Sequence, residues 1–123
     1  MDLNQALLAH KKWKLKLGDA ILQEKPLDAV SIGQDACCEL GQWLYGEGQS
    51  ALGAGGLFTG LLESHRQFHK EAGLVAELVN AKSYKEAADK LLPGADFERV
   101  SSMVQQKLVE AMEAMEAKGF DGE

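Results

Sequence analysis

The sequence predicts an all-α fold, an antiparallel four-helix bundle with one additional short helix. Three observations lead there. Apolar residues recur every three or four positions through four segments, the spacing of one face of a 3.6-residue helix. No segment shows the apolar–polar alternation of a half-buried strand. Only two prolines interrupt a chain rich in Ala, Leu, Glu and Lys, residues that lose little freedom in a helix.

The first helix is expected from Leu3 to about Glu24, with Asp2 as its cap and with Leu3, Leu7, His10, Leu17 and Ile21 on one stripe that Ala6, Trp13 and Ala20 widen. Pro26 ends it. A second, shorter helix is expected from Ser31 or Gly33 to Tyr45, through Ala36, Cys37, Leu40 and Leu44. Between Gly46 and Gly60 lie six of the 13 glycines, and the backbone entropy that glycine loses in a helix makes this stretch read as a flexible connection. It carries no Gly-Lys-Ser/Thr, so it is no phosphate loop.

The third helix is expected over Leu57 to Ala81, with His65, Phe68, His69 and Ala72 among its apolar positions. Ser83 with Glu86 three residues on is a capping-box signature for a short helix ending at Leu92. Pro93-Gly94 breaks the chain, and Asp96 can cap a last helix along Phe97, Val100, Val104, Leu108, Ala111 and Met115. Met103, Met112 and Met115 read as core or dimer packing. The chain of 123 residues makes one domain over residues 1–118, with residues 119–123 a frayed acidic tail.

Composition narrows the function. A net charge of −6 without a basic stripe disfavours nucleic acid, whose affinity comes chiefly from phosphate neutralisation. The cluster Lys11, Lys12, Lys14 and Lys16 sits on the polar side of its helix. No apolar run approaches the ~18 residues of a membrane span, and the N-terminus lacks a secretory apolar core. The expectation is a cytoplasmic protein with no nucleic acid or membrane partner. Cys37 and Cys38 are adjacent, so a disulfide between them would be severely strained.

All three histidines fall on apolar stripes, and His65 and His69, four apart, share a helix face. Burying three imidazoles in a small acidic bundle is costly unless each has a partner. Periodicity leaves two solutions open, ordinary hydrogen-bond partners or a metal ion that satisfies several rings at once. Three His and one Cys would make a tetrahedral set suited to zinc. Helical phase does not decide between the cysteines, since Cys37 aligns with Leu40 and Leu44, and Cys38 with Gly41 and Tyr45. Gly41 beside a ligand would allow a neighbouring helix or ring to approach closely. The run His65-Arg66-Gln67-Phe68-His69 has Arg66 where a zinc protease needs its Glu base. No Glu-x-x-His repeat supports a di-iron bundle, and three histidines are too few for a hemerythrin-like one.

Three blocks of the sequence resemble one family. His10-Lys11-Lys12-Trp13-Lys14, then Cys38-Glu39-Leu40-Gly41-Gln42-Trp43-Leu44-Tyr45-Gly46, then His65 and His69 follow the order H-x-x-W-K, C-x-L-G-x-W-x-Y and H-x-x-x-H of the chemoreceptor zinc-binding (CZB) domain. The resemblance implies a four-helix bundle holding one zinc per chain through His10, Cys38, His65 and His69, with Cys37 a neighbour that does not bind. It implies bacterial, cytoplasmic signalling, a homodimer, and partners such as chemoreceptors or diguanylate cyclases in chemotaxis and signal transduction. It also implies that the signals are zinc or oxidants such as hypochlorous acid, with Cys38 the redox-reactive ligand. Because Met1 lies nine residues before His10, a free-standing member acting through a partner is expected.

Four protein ligands leave no position for an activated water, so no enzyme activity is expected. Oxidation of Cys38 would remove one bond of four and loosen the second helix. The carboxylates of Asp35 and Glu63 are expected as acceptors for the outer N–H of a ligand histidine, and Trp13 and Trp43 as walls between the site and water. The alternative is a helical interaction domain whose zinc is fixed and purely structural.

Overall fold

The first helix, α1, forms over Leu3–Gln23 because Asp2 satisfies its first turn: the Asp2 carboxylate accepts from the backbone N–H groups of Asn4 and Gln5 at 3.0 and 3.3 Å. It stops before Pro26 acts, at Glu24, which turns left-handed at φ 54° and closes the helix with its own N–H. Leu3, Ala6, His10, Leu17 and Ala20 are the buried positions, which is the stripe that the spacing predicts.

The structure, a computed structural model, describes residues 1–53 and 55–122. After α1 come α2 (Ala29–Gly33), a 3₁₀ turn (Asp35–Cys37), α3 (Glu39–Trp43), a π-helical turn (Leu44–Gly48), α4 (Gln49–Leu52), α5 (Gly56–Asn80), α6 (Tyr84–Lys90) and α7 (Asp96–Gly122). No strand occurs among the described residues, so the protein is all-α. None of its helices, among those residues, is long and apolar enough to cross a membrane.

Chain directions follow from the contacts. Lys14 of α1 meets Glu98 of α7 at 3.5 Å, while residues 1–4 face residues 109–116 across a shallow groove, so α1 and α7 are antiparallel. The Phe68 and Phe97 rings lie 5.5 Å apart, and Gly60 faces the Lys107 side chain, so α5 is antiparallel to α7 as well. The segment from Leu27 to Cys38 runs down α5 in the opposite sense. Leu27 and Asn80 exchange two hydrogen bonds of 2.7 Å, Gly33 touches Gly73, and Cys38 meets His65. The result is an antiparallel arrangement of three long helices and one broken element, with α6 packed beside α5 and α1. Leu17, Leu40, Leu44, Leu61, Phe68, Phe97, Val104 and Leu108 fill the interior.

That broken element corrects the expectation of one helix from Ser31 or Gly33 to Tyr45. Cys38 has an extended backbone, φ −104° and ψ 163°, and separates the 3₁₀ turn from α3. The glycine-rich stretch is not simply a flexible connection either. Its first part is the π turn and α4, where Leu44, Gly48 and Leu52 are buried, and that burial outweighs the helix cost of glycine. Capping at the last two helices also differs from expectation. The Ser83 side chain makes no cap hydrogen bond, and α6 ends at Lys90 rather than Leu92. Asp96 lies inside the first turn of α7, pairing with Arg99 at 2.9 Å. Instead Gly94, at φ +84°, donates its N–H to the Glu98 carboxylate at 3.3 Å. The α7 backbone is helical to Gly122, through most of the segment expected as a tail. Glu123 lies outside the described residues.

Candidate metal centre

Three elements converge on one point of the interior. His10 comes from α1, His65 and His69 from consecutive turns of α5, and Cys38 from the extended residue at the start of α3. One ligand atom from each of the four lies within 4.8 Å of all the others. The rings of His65 and His69 are 4.5 Å apart, and His10 is edge-on to both at 5.1 and 5.7 Å. The histidines are buried and Cys38 is half-buried.

Hydrogen bonding fixes which nitrogen faces inward. His10 Nδ1 lies 2.7 Å from the Ala6 carbonyl oxygen, and His69 Nδ1 lies 2.8 Å from the Ile32 carbonyl oxygen. A carbonyl can only accept, so each Nδ1 carries the proton and each Nε2 offers a lone pair. Both Nε2 atoms are buried without a hydrogen-bond partner. His65 sets Nε2 3.2 Å from Cys38 Sγ, and its Nδ1 is buried without a partner. Unpartnered buried polar atoms of this kind are rare in folded proteins. The Nε2 atoms of His10 and His69 belong to residues of one four-ligand cluster, and a metal ion held there satisfies both at once.

Burial sets the protonation of the set. It pushes the His10 pKa down to about 4, against the Ala6 hydrogen bond, with His69 adding repulsion. His65 is lowered by burial and then by its two histidine neighbours, and His69 by burial against the Ile32 bond. All three are neutral at pH 7, the form that binds metal. Burial raises the Cys38 pKa, opposed by the N–H of Gly41, which donates to Sγ at 3.4 Å. A bound cation reverses that preference and holds the thiolate.

The broken element presents Cys38 through close backbone contacts. A Cβ on Gly41 would overlap the Asp35 carbonyl. The close approach expected at Gly41 is therefore real, but what approaches is the chain's own 3₁₀ turn. The Tyr45 hydroxyl donates to the Asp35 carboxylate at 2.6 Å, tying the π turn back to the residues before Cys38. Farther along, a Cβ on Gly73 would sit 2.8 Å from the Gly33 Cα, so two glycines let α2 cross α5 closely enough for the Ile32 carbonyl to reach His69. Gly41→Ala is expected to destabilise the protein by about 1–3 kcal/mol, the usual cost of overpacking, and to lower zinc content by displacing Cys38. Thermal melts and metal analysis of that variant check both effects.

Of the residues expected around the ligands, Asp35 bonds Tyr45, and Glu63 pairs with Arg66 and Gln67. Neither carboxylate hydrogen-bonds a histidine. That role falls to the main-chain oxygens of Ala6 and Ile32, which no side-chain pattern signals. Trp13 and Trp43 are half-buried against the core, with Lys16 Nζ 4.8 Å from the centroid of the Trp13 ring and Trp43 packed on Gly48. Cys37 is exposed, and its Sγ donates to Gln34 at 3.2 Å. The structure therefore selects Cys38 where helical phase could not.

Three imidazoles and one thiol with ligand atoms within 4.8 Å of one another, on an all-α scaffold, make the donor set of a zinc-binding protein. Comparison with protein families matches residues 10–76, more than half of the chain, to the chemoreceptor zinc-binding domain. The chain belongs to that family. Zinc is its cofactor, and His10, Cys38, His65 and His69 are positioned to hold one ion. No curated protein and no solved structure is matched.

Proposed function

We propose that this zinc-binding module is a sensory or regulatory domain rather than an enzyme, and that it reads zinc level or oxidants through Cys38. One observation carries the reading: among the described residues, the one sulfur of the four-ligand set comes from the broken element, while two of its three imidazoles come from the continuous helix α5. The ligand that oxidants attack is thus on the part of the fold with the least regular hydrogen bonding. In the family's setting the protein works in the cytoplasm, as a homodimer, alongside a chemoreceptor or diguanylate cyclase system.

When bound, zinc keeps Cys38 deprotonated and occupied. With hypochlorous acid as oxidant, the Cys38 sulfur attacks chlorine and releases hydroxide. Water then replaces chloride, leaving a sulfenic acid, a proton and chloride ion. The sulfenic sulfur is a poorer ligand, so Cys38 leaves His65 and no longer holds the start of α3. The 3₁₀ turn, α3 and the π turn then lose one of their anchors, with the Tyr45–Asp35 bond and the buried Leu40 and Leu44 left to hold them, and the change passes to whatever packs on that face.

Hydrogen exchange tests this reading. After one equivalent of hypochlorous acid, amides in residues 33–56 are expected to exchange faster, while the second half of α5 changes little. Chelation is expected to produce the same pattern. Unchanged exchange with zinc retained would mean a fixed, structural ion.

A further inference from the structure

Cys38 sits inside a loop that its own flanks close. Asp35, three residues before it, touches both flanks. The Asp35 carbonyl oxygen lies 3.7 Å from Cys38 Sγ and against Gly41, where a Cβ would overlap it. The Asp35 carboxylate reaches ten residues on and accepts from the Tyr45 hydroxyl at 2.6 Å. Leu40 and Leu44, each 1% exposed, hold the inner side of the loop in the core. Tyr45, 54% exposed, closes it where water reaches.

We propose that the Tyr45–Asp35 hydrogen bond is a latch that holds Cys38 at the metal centre and sets how fast zinc leaves it. Tyr45 and the Asp35 carboxylate are then positioning residues, which act through Cys38 and do not touch the ion. A hydroxyl donating to a carboxylate over this distance makes a short, charge-assisted bond. Nearby cations do not compete for the acceptor. Arg66 and Arg99 line a polar cleft together with Asp35, but they pair with Glu63 and Asp96 at 3.1 and 2.9 Å.

Exposure makes the bond reversible. Water competes for both groups each time the loop opens locally, so the bond delays opening and does not forbid it. Of the contacts that close the loop, only this one hangs on a single exposed oxygen. Removing that oxygen, as in Tyr45→Phe, releases the latch without leaving a cavity in the core. The inference deepens the proposed function and rests on zinc being held through Cys38: a loop kept shut by one exposed hydrogen bond opens while the long helices stay folded.

Zinc transfer from the loaded chain to an excess of a chromophoric chelator tests the proposal, with zinc per chain and the helical spectrum measured first on each sample. Tyr45→Phe and Asp35→Ala are each expected to release zinc about tenfold faster than the wild type, and the double variant no faster than either. Asp35→Asn keeps an acceptor for the phenol without the charge, and is expected to stay within about twofold of the wild type. A fold that was merely destabilised would not be rescued in this way. Release from Tyr45→Phe at the wild-type rate overturns the proposal. So does a double variant whose effects add, since the two residues would then act independently. Asp35→Asn as fast as Asp35→Ala overturns it too, because the effect would belong to the charge. No oxidant enters the assay, so a failed latch leaves the oxidant response to the hydrogen-exchange test, and a failed oxidant response leaves the latch standing.

Discussion

Cys38→Ser is expected to lower zinc affinity by about 100-fold or more, whereas Cys37→Ser leaves it unchanged. Structural zinc sites of this type bind with apparent free energies of ~10–16 kcal/mol. Spread over four ligands, that is about 3 kcal/mol for each, and every 1.4 kcal/mol is about tenfold. Serine keeps the volume of cysteine but offers a hydroxyl that stays protonated at neutral pH, so three histidines remain to hold the ion. Cys37, with its thiol turned out to Gln34, contributes nothing to the set. Competition against a chromophoric zinc chelator measures both variants. Equal losses would show that the thiols share the role.

Removing the metal is expected to leave a protein that is weakly stable and sensitive to acid. Without zinc, three neutral imidazoles stay buried with unsatisfied nitrogens. Unfolding frees them to bind protons at the ordinary histidine pKa of about 6.5, while in the folded state burial holds His10 at about 4 and lowers His65 and His69 too. Between those values the unfolded chain binds more protons, so stability falls as pH falls. The stabilisation is fully present above about pH 6.5 and is lost toward pH 4. His10 alone accounts for about 3 kcal/mol of that loss, at 1.36 kcal/mol per pKa unit. This is a large part of the ~5–15 kcal/mol of a typical domain. Conversely, free zinc at ~1,000 times its dissociation constant adds about 4 kcal/mol. Denaturant unfolding at pH 7.5 and 4.5, with and without chelator, reads both effects. A metal-free protein equally stable at the two pH values would mean that its histidines are not buried and neutral.

The long helices were legible because their burial follows one periodic stripe. α5 runs Gly56–Asn80 against an expected Leu57 to Ala81, and α1 differs from expectation only at its last residue. The segment between them was not legible, because contacts distant along the chain or specific to one turn set it. Gly41 lies against the Asp35 carbonyl, Tyr45 bonds Asp35, and Leu40, Leu44 and Leu52 are drawn into the core. Such contacts override the local preferences from which a continuous helix and a glycine connection were read. The metal site shows the same division. Helical phase brought out the three histidines, since buried imidazoles on apolar stripes are conspicuous. It could not choose the cysteine because Cys38 is not helical at all; its extended backbone lets it cap α3 while its sulfur turns to His65. The motif that begins at Cys38 supplied what periodicity lacked. The acceptors of Ala6 and Ile32 are main-chain atoms, and a side-chain pattern cannot reveal them. The one hint of the second was Gly73, a glycine inside an otherwise strong helix, which marks where α2 crosses.

Elemental analysis of the purified, tag-free protein after expression in zinc-replete medium measures whether His10, Cys38, His65 and His69 hold one zinc ion. Near one zinc per chain is expected, with iron and copper far below that level. A protein that folds to the same helical content yet carries no zinc would contradict that assignment, and would return the three histidines to the status of core residues.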